Sequence, residues 1–189
     1  LVEDEDAIGN QYYNNGYVFY NLNPVEVNID GDSVDLEMRI YEGQQATLNN
    51  IRISGNTRVY ENVIRRELRT KPGDLFKKDA IMRSIRELAN MQFFDPEKIE
   101  PDIKPDQENG TVDINYKLEP KASDQVQLSF GWGQTGIVGT VGLKFTNFSM
   151  QNLFSSKKRR ALFPQGDGQQ LSLNAQTNAK YYQSYSFNF

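Results

Sequence analysis

Apolar and polar residues alternate through most of this chain, and one stretch of that alternation occurs twice. Val34-Asp35-Leu36-Glu37-Met38-Arg39-Ile40 sets an apolar side chain at every second position, the period of a half-buried strand. The pattern returns 78 residues later as Val112-Asp113-Ile114-Asn115-Tyr116-Lys117-Leu118. Upstream flanks agree as well: Asp6-Ala7-Ile8 mirrors Asp79-Ala80-Ile81, and Gly16-Tyr17-Val18-Phe19 mirrors Gln92-Phe93-Phe94-Asp95. Such a spacing is too long for a solenoid and suits a small domain used in series.

The second copy can be read element by element. Residues 46–54 predict a strand with Ile51 and Ile53 inward and Arg52 outward, and Gly55-Asn56-Thr57 supplies turn and cap chemistry. A first helix is expected near 58–69, with Tyr60, Val63, Ile64 and Leu68 on one face, and Lys71-Pro72-Gly73-Asp74 breaks it. A second helix near 77–91 places Ile81, Ile85, Leu88 and Ala89 on one stripe, and strands near 97–104 and 111–119 complete the order β-α-α-β-β. Pro96, Pro101 and Pro105 bracket or interrupt the first closing strand, which is therefore expected at a sheet edge. Of the first copy, a helix near 3–15 and strands near 17–29 and 33–42 are expected, so the chain is read as beginning inside a domain.

Beyond residue 121 the alternation persists in different company. Val126, Leu128, Phe130 and Trp132 alternate with Gln125, Gln127, Ser129 and Gly131. Similar segments run through Val141–Phe145, Leu171–Ala175 and Tyr185–Phe189. Each has about the length of a tilted membrane-crossing strand, roughly 9–11 residues. One face is apolar and aromatic and the other is small or uncharged-polar, the dyad pattern of an outer-membrane barrel. A soluble antiparallel sheet packed on one side is the competing reading.

Charge supports the division. Residues 1–120 hold 14 Lys/Arg against 23 Asp/Glu, whereas residues 121–189 hold 7 against 2, with four of those seven cations in Lys157-Lys158-Arg159-Arg160. The chain has no cysteine and no histidine. Disulfides, thiol nucleophiles and thiolate metal sites are thereby excluded, and the commonest general base and zinc ligand is missing, so no catalytic, cofactor-binding or metal residues are assigned. No apolar run approaches the roughly 20 residues of a transmembrane helix. Gly131-Trp132-Gly133-Gln134-Thr135-Gly136 spells a dinucleotide-binding fingerprint, but the following residues alternate like a strand, so a glycine-rich hairpin turn is expected. Asn109-Gly110-Thr111 and Asn147-Phe148-Ser149 match a glycosylation acceptor, a pattern frequent by chance. The run Glu3–Asp6 is read as a solvated helix start rather than a cation site.

Several segments in sequence order resemble the BamA superfamily of outer-membrane assembly factors. They are Ile51-Arg52-Ile53-Ser54-Gly55-Asn56, Lys71-Pro72-Gly73-Asp74, Leu88-Ala89-Asn90-Met91-Gln92-Phe93-Phe94, Val126–Gly133, Asn147-Phe148-Ser149-Met150-Gln151-Asn152-Leu153 and Tyr182-Gln183-Ser184-Tyr185-Ser186-Phe187. One departure is Met91-Gln92-Phe93, where the family carries a Gly-Tyr-Phe-like triplet. The resemblance implies an α+β fold of POTRA domains (β-α-α-β-β) followed by antiparallel strands of an incomplete transmembrane β-barrel. Residues 1–43 would be the C-terminal part of one POTRA domain, 44–120 a complete last POTRA domain, and 121–189 the first four barrel strands.

The implied function is non-enzymatic: assembly and insertion of β-barrel proteins at the cell outer membrane, with POTRA domains in the periplasm. Implied partners are unfolded outer-membrane proteins, accessory assembly lipoproteins and outer-membrane lipid, with no nucleic acid and no cofactor. Gln125, Val126, Gln127, Leu128, Ser129 and Phe130 would form a lateral-gate strand, with Val126, Leu128 and Phe130 towards lipid. Strand parity would place Lys157, Lys158, Arg159 and Arg160 in a periplasmic basic loop, facing anionic headgroups or an acidic partner, with a solvated loop as the alternative. A polypeptide-secretion pore of the same superfamily, a barrel fused to a lipolytic domain outside this chain, and a soluble β-rich adhesin or scaffold are the alternatives.

Overall fold

The computed structural model describes residues 8–31, 33–121, 124–133, 136–154, 164–178 and 182–189. Lys157–Arg160 and Glu3–Asp6 lie outside the described residues. The chain divides into two compact units. The first takes Leu1–Ser54, Leu68–Glu87 and Glu100–Lys117, and the second Gly55–Glu67, Leu88–Ile99 and Leu118–Phe189.

In the first unit, helix α1 (Ile8–Asn14) leads into an antiparallel hairpin of β1 (Asn21–Asp30) and β2 (Ser33–Tyr41). A three-stranded sheet follows in the order β3 (Thr47–Ser54), β5 (Thr111–Lys117), β4 (Glu100–Asp106), with β3 parallel and β4 antiparallel to the central β5. The alternation in β5 puts Val112, Ile114 and Tyr116 inside at 0–1% exposure, joined by Ala46, Leu48, Ile51, Phe76 and Ile81. The Tyr116 hydroxyl pairs with that of buried Thr70 at 3.1 Å, so a phenol in the core is not left unsatisfied. Helix α3 (Lys78–Asn90) supplies Ser84, whose hydroxyl accepts from the Arg69 N–H at 2.9 Å and donates to the Ala80 carbonyl.

β4 is an edge strand, as its prolines require. Its ladder to β5 runs without a register shift from Glu100↔Lys117 to Asp106↔Thr111. Pro101 and Pro105 therefore sit where the backbone points away from β5, and Ile103 supplies the one N–H between them on the outer side.

The second unit holds α2 (Glu61–Arg65), the end of α3, a 3-10 turn at Pro96–Lys98, and a four-stranded antiparallel sheet. Its strands are β6 (Gln125–Gly133), β7 (Gly136–Phe148), β8 (Gln169–Asn178) and β9 (Tyr182–Asn188), with α4 (Met150–Phe154) after β7. Gly133↔Gly136 closes the β6–β7 hairpin, so strands flank the glycine fingerprint on both sides and Gln134 and Thr135 lie outside the described residues.

The first helix of the β-α-α-β-β unit is much shorter than the expected 58–69, because its ends are committed elsewhere. Tyr60 is extended (φ −70°, ψ 143°), its N–H donates to the Gly166 carbonyl at 2.9 Å, and the Arg58 carbonyl accepts from Asn147 Nδ2 at 2.8 Å. At the other end the Glu67 N–H turns back to the Ile64 carbonyl, an i→i−3 bond that tightens the last turn. The closing strand near 97–104 begins later than expected for a similar local reason. Asp95 accepts from the Glu97 N–H and caps the proline-led turn, leaving β4 to start at Glu100.

A network of buried polar groups builds this unit. Asn147, Ser149, Asn152 and Gln165 are each at most 6% exposed, and each is hydrogen-bonded. Asn147 donates to the Arg58 carbonyl and accepts from the Gly168 N–H at 3.0 Å. Asn152 Nδ2 donates to the Gln165 carbonyl and to the Tyr60 hydroxyl, both at 2.8 Å. Gln165 Nε2 donates to Asp124 at 2.6 Å, and the same carboxylate accepts from the Thr146 N–H, which pins the entry to β6. Gly166 (φ +139°) lies under the Tyr60 ring, whose carbons occupy the space a Cβ would need. The burial and engagement of Asn147 also dispose of the glycosylation pattern at that position.

Gly16 and Gln92, the paired positions of the two sequence copies, are both left-handed, with φ of 85° and 60°. Each N–H turns back three residues at a helix end, Gly16 to Tyr13 and Gln92 to Ala89. The second copy thus makes the same turn with a side chain that strains it.

Three outcomes are expected from denaturation. Gln92→Gly stabilises the protein by about 0.5–1 kcal/mol, whereas Gln92→Ala gives no gain. Asn152→Ala costs about 1–3 kcal/mol, because it removes the amide's bonds to the Tyr60 hydroxyl and the Gln165 carbonyl in a buried setting. Burial pushes the Tyr116 phenol up from its ordinary 10.0, against weaker opposing hydrogen bonds from Thr70 and Ser84. The unfolded state then binds fewer protons above that pH, so stability holds below about 10 and falls as pH rises beyond it. In Tyr116→Phe, urea melts between pH 8 and 11 should show a shallower alkaline fall, with a loss of about 1 kcal/mol at neutral pH.

Candidate functional site

Directly opposed residues of antiparallel strands share a face, and in the four-stranded sheet this sorts the chemistry by side. Val126, Leu143, Leu173 and Phe187 form one cross-strand row, and Leu128, Val141, Ala175 and Tyr185 form the next. Trp132 opposes Ile137 and Phe145 opposes Leu171 on the same face. Phe130 opposes Gly139 and lays its ring within 3.6 Å of where a Cβ would stand, covering the gap the glycine leaves. The other face carries Gln125, Lys144, Ser172 and Asn188 in one row, then Gln127, Gly142, Asn174 and Ser186, then Ser129, Thr140, Gln176 and Ser184.

The apolar face is exposed. Val126 is 70% exposed, Leu128 61%, Phe130 78% and Trp132 85%, with Tyr185 and Phe187 similarly open. A large apolar side chain left in water forgoes roughly 1.5–3 kcal/mol of burial, so a face of this extent marks a surface that meets something non-aqueous. Between Leu173, Ala175, Tyr185 and Phe187 the small Ala175 leaves a shallow apolar hollow of about 290 Å³.

Gln125–Phe130 lie together on β6, an edge strand of this sheet, with the parity expected from the sequence: Val126, Leu128 and Phe130 on the apolar face, Gln125, Gln127 and Ser129 on the polar one. The strand's start is fixed by Asp124. Backbone bonds hold the segment before it, from the Lys121 N–H to the Phe93 carbonyl and from the Asp95 N–H to the Glu119 carbonyl. Lys98 donates to Glu119 at 2.7 Å, and that hydrogen bond raises the lysine pKa. Sequence reasoning marked Asn147–Leu153 only by resemblance. Its polar, uncharged composition gave no sign that Asn147, Ser149 and Asn152 would be buried. Among the described residues no three His, Cys, Asp or Glu side chains converge as metal ligands, and no helix is long and apolar enough to cross a membrane, which says nothing of a β-barrel.

Known proteins share this arrangement. The POTRA family model (surface antigen variable number repeat) matches residues 46–121. The outer membrane protein assembly factor BamA of Neorickettsia risticii is 34% identical over 147 residues, covering 76% of this chain and 19% of that relative. BamA of Neisseria meningitidis serogroup B is 30% identical over 166 residues, covering 86% of this chain and 19% of the relative. The crystal structure of BamA from Haemophilus ducreyi lacking POTRA domains 1-3 superposes with a TM-score of 0.68 over 92% of this chain and 30% of that one, and at 21% identity it bears on the fold alone. The chain thus spans about a fifth of the length of the curated relatives it matches. Residues 46–121 are a POTRA domain, and the chain is a BamA-like outer-membrane protein.

Proposed function

We propose that this chain takes part in assembling and inserting β-barrel proteins into the outer membrane, its POTRA region in the periplasm and its four-stranded sheet in the bilayer. On this reading residues 1–43 are the C-terminal part of one POTRA domain, 44–120 a complete POTRA domain and 121–189 the first four strands of a barrel. The observation that supports it most is the one-sided sheet: a broad exposed apolar face backed by rows of Gln, Ser, Asn and Thr. Hydrocarbon on one side and a wet lumen on the other satisfy both faces. An outer-membrane barrel needs at least about 8 strands, so these four act as part of a larger closed sheet.

No covalent chemistry enters the mechanism. In hydrocarbon each unpaired backbone N–H or C=O costs several kcal/mol, against about 1 kcal/mol net for a hydrogen bond formed in water. β6 as the first strand of the barrel, weakly paired with the last, offers such groups at the seam. An incoming client strand that satisfies them is drawn there, and its successors zip on in turn. Gln125, Gln127 and Ser129 face the lumen during this step, and Val126, Leu128 and Phe130 face lipid. Accessory assembly lipoproteins and unfolded clients dock on the POTRA region. The Pro101 and Pro105 edge leaves little room for strand addition at β4, which turns attention to the helical side.

The single tryptophan, Trp132, tests the membrane face directly. In proteoliposomes of the whole protein, with Trp132 retained as its sole tryptophan, the fluorescence is expected to be quenched by brominated acyl chains and shielded from aqueous iodide. Quenching by iodide alone would put water there, and quenching by neither reagent a protein layer; either result overturns the barrel. For the gate, a disulfide tying β6 at Ser129 to the closing strand of the whole protein should stop client insertion, with reductant restoring it. Undiminished insertion with the seam locked rules the gate out.

A further inference from the structure

The POTRA region is acidic overall, yet one part of it is not. Residues 68–87 carry six Lys/Arg against three Asp/Glu, within a stretch of 120 residues that holds 14 against 23. Three of these cations, Arg69, Lys77 and Arg83, line a groove of about 640 Å³ between the end of α1, the segment 69–77 and α3, together with Asn14, Asp79 and Glu87. Its shape is fixed by the junction of the two sequence copies. Asn14 Oδ1 accepts from the Asp79 N–H at 2.9 Å, capping the first turn of α3 from another element, and Lys78 Nζ donates to Asn10 at 2.7 Å. Behind them Tyr13 packs on Phe76 and Tyr20, and the Ala46 N–H donates to the Gly16 carbonyl.

We propose that this groove docks a carboxylate-bearing segment of a partner protein. Arg69 is engaged by Glu87 at 3.6 Å, whereas Lys77 and Arg83 are exposed and have no ion pair among the described residues. Two cations on the walls of one concavity leave a place for two partner carboxylates spaced along a chain. A lipid surface fits less well. Asp79 and Glu87 stand inside the groove and would repel a sheet of anionic headgroups, while they set the register of a peptide carrying charge at chosen positions. The proline-blunted edge of β4 points the same way, since docking here needs no strand addition. This inference builds on the reading of the POTRA region as a docking module and does not depend on the gate.

The test uses the whole protein in detergent and a fluorescein-labelled synthetic peptide alternating Glu with Leu, followed by anisotropy. Binding is expected to weaken with salt, to vanish for the Gln-for-Glu peptide, and to fall at least tenfold in the Lys77→Glu, Arg83→Glu double variant. Arg52→Glu, a charge reversal on β3 away from the groove, should leave it unchanged, and unaltered thermal melts show that each variant is folded. Equal binding by the double variant overturns the proposal. So does preferential binding, through Lys77 and Arg83, to vesicles containing phosphatidylglycerol, which would assign the groove to lipid. A failed seam-lock experiment alongside intact peptide binding would remove the gate and leave the groove standing.

Discussion

A sheet with one oily face and one hydrogen-bonding face must have two different neighbours, and the second unit of this protein is organised by that requirement. The rows Val126-Leu143-Leu173-Phe187 and Gln127-Gly142-Asn174-Ser186 lie on opposite sides of the same four strands. Water satisfies the second row and leaves the first unsatisfied. On that apolar side Phe130 and Trp132 are among the most exposed large side chains of the described residues. The barrel proposed above would give the apolar row lipid and the polar row water.

The POTRA region obeys a different constraint. There the alternation of β5 is absorbed by the protein itself, with Tyr116, Ile114 and Val112 buried and a hydroxyl pair joining Tyr116 to Thr70. The matching strand β2 carries the same pattern, but Val34 and Leu36 are more than half exposed. Identical periodicity therefore has three outcomes in one chain: a protein core at β5, an open face at β2, and the broad apolar face of β6–β9. Period alone records that a strand has two sides. What covers the apolar side depends on which elements the fold brings to it.

The function proposed above rests on edges and faces. β6 offers an edge, β4 withholds one through Pro101 and Pro105, and the α1–α3 groove offers charge. These surfaces are chemically distinct, so a strand-shaped client and a charged partner segment would not compete for one site. The polar network around Asn147 and Asn152 holds the entry to α2 against the end of β7 and the residue 164–168 segment. A buried amide fixes geometry more narrowly than an apolar contact, because each misplaced donor costs its full desolvation.

Taken alone, the sequence determined the strands, their two-sidedness, the repeat and the edge position of β4, because each rests on local rules: period two, proline's missing N–H, and pattern recurrence. It also placed Gln125–Phe130 on one strand with the right parity. The short α2 was not legible, since its ends are set by Asn147 and Gly166, some 90 and 100 residues away in the chain. Nor was the burial of Asn147, Ser149, Asn152 and Gln165, whose composition reads as loop until their partners are known. The groove's walls come from α1 and α3, segments that no local pattern connects. Tertiary structure decided these features for one reason: a polar side chain's fate depends on whether distant groups arrive to replace water, and periodicity carries no record of that.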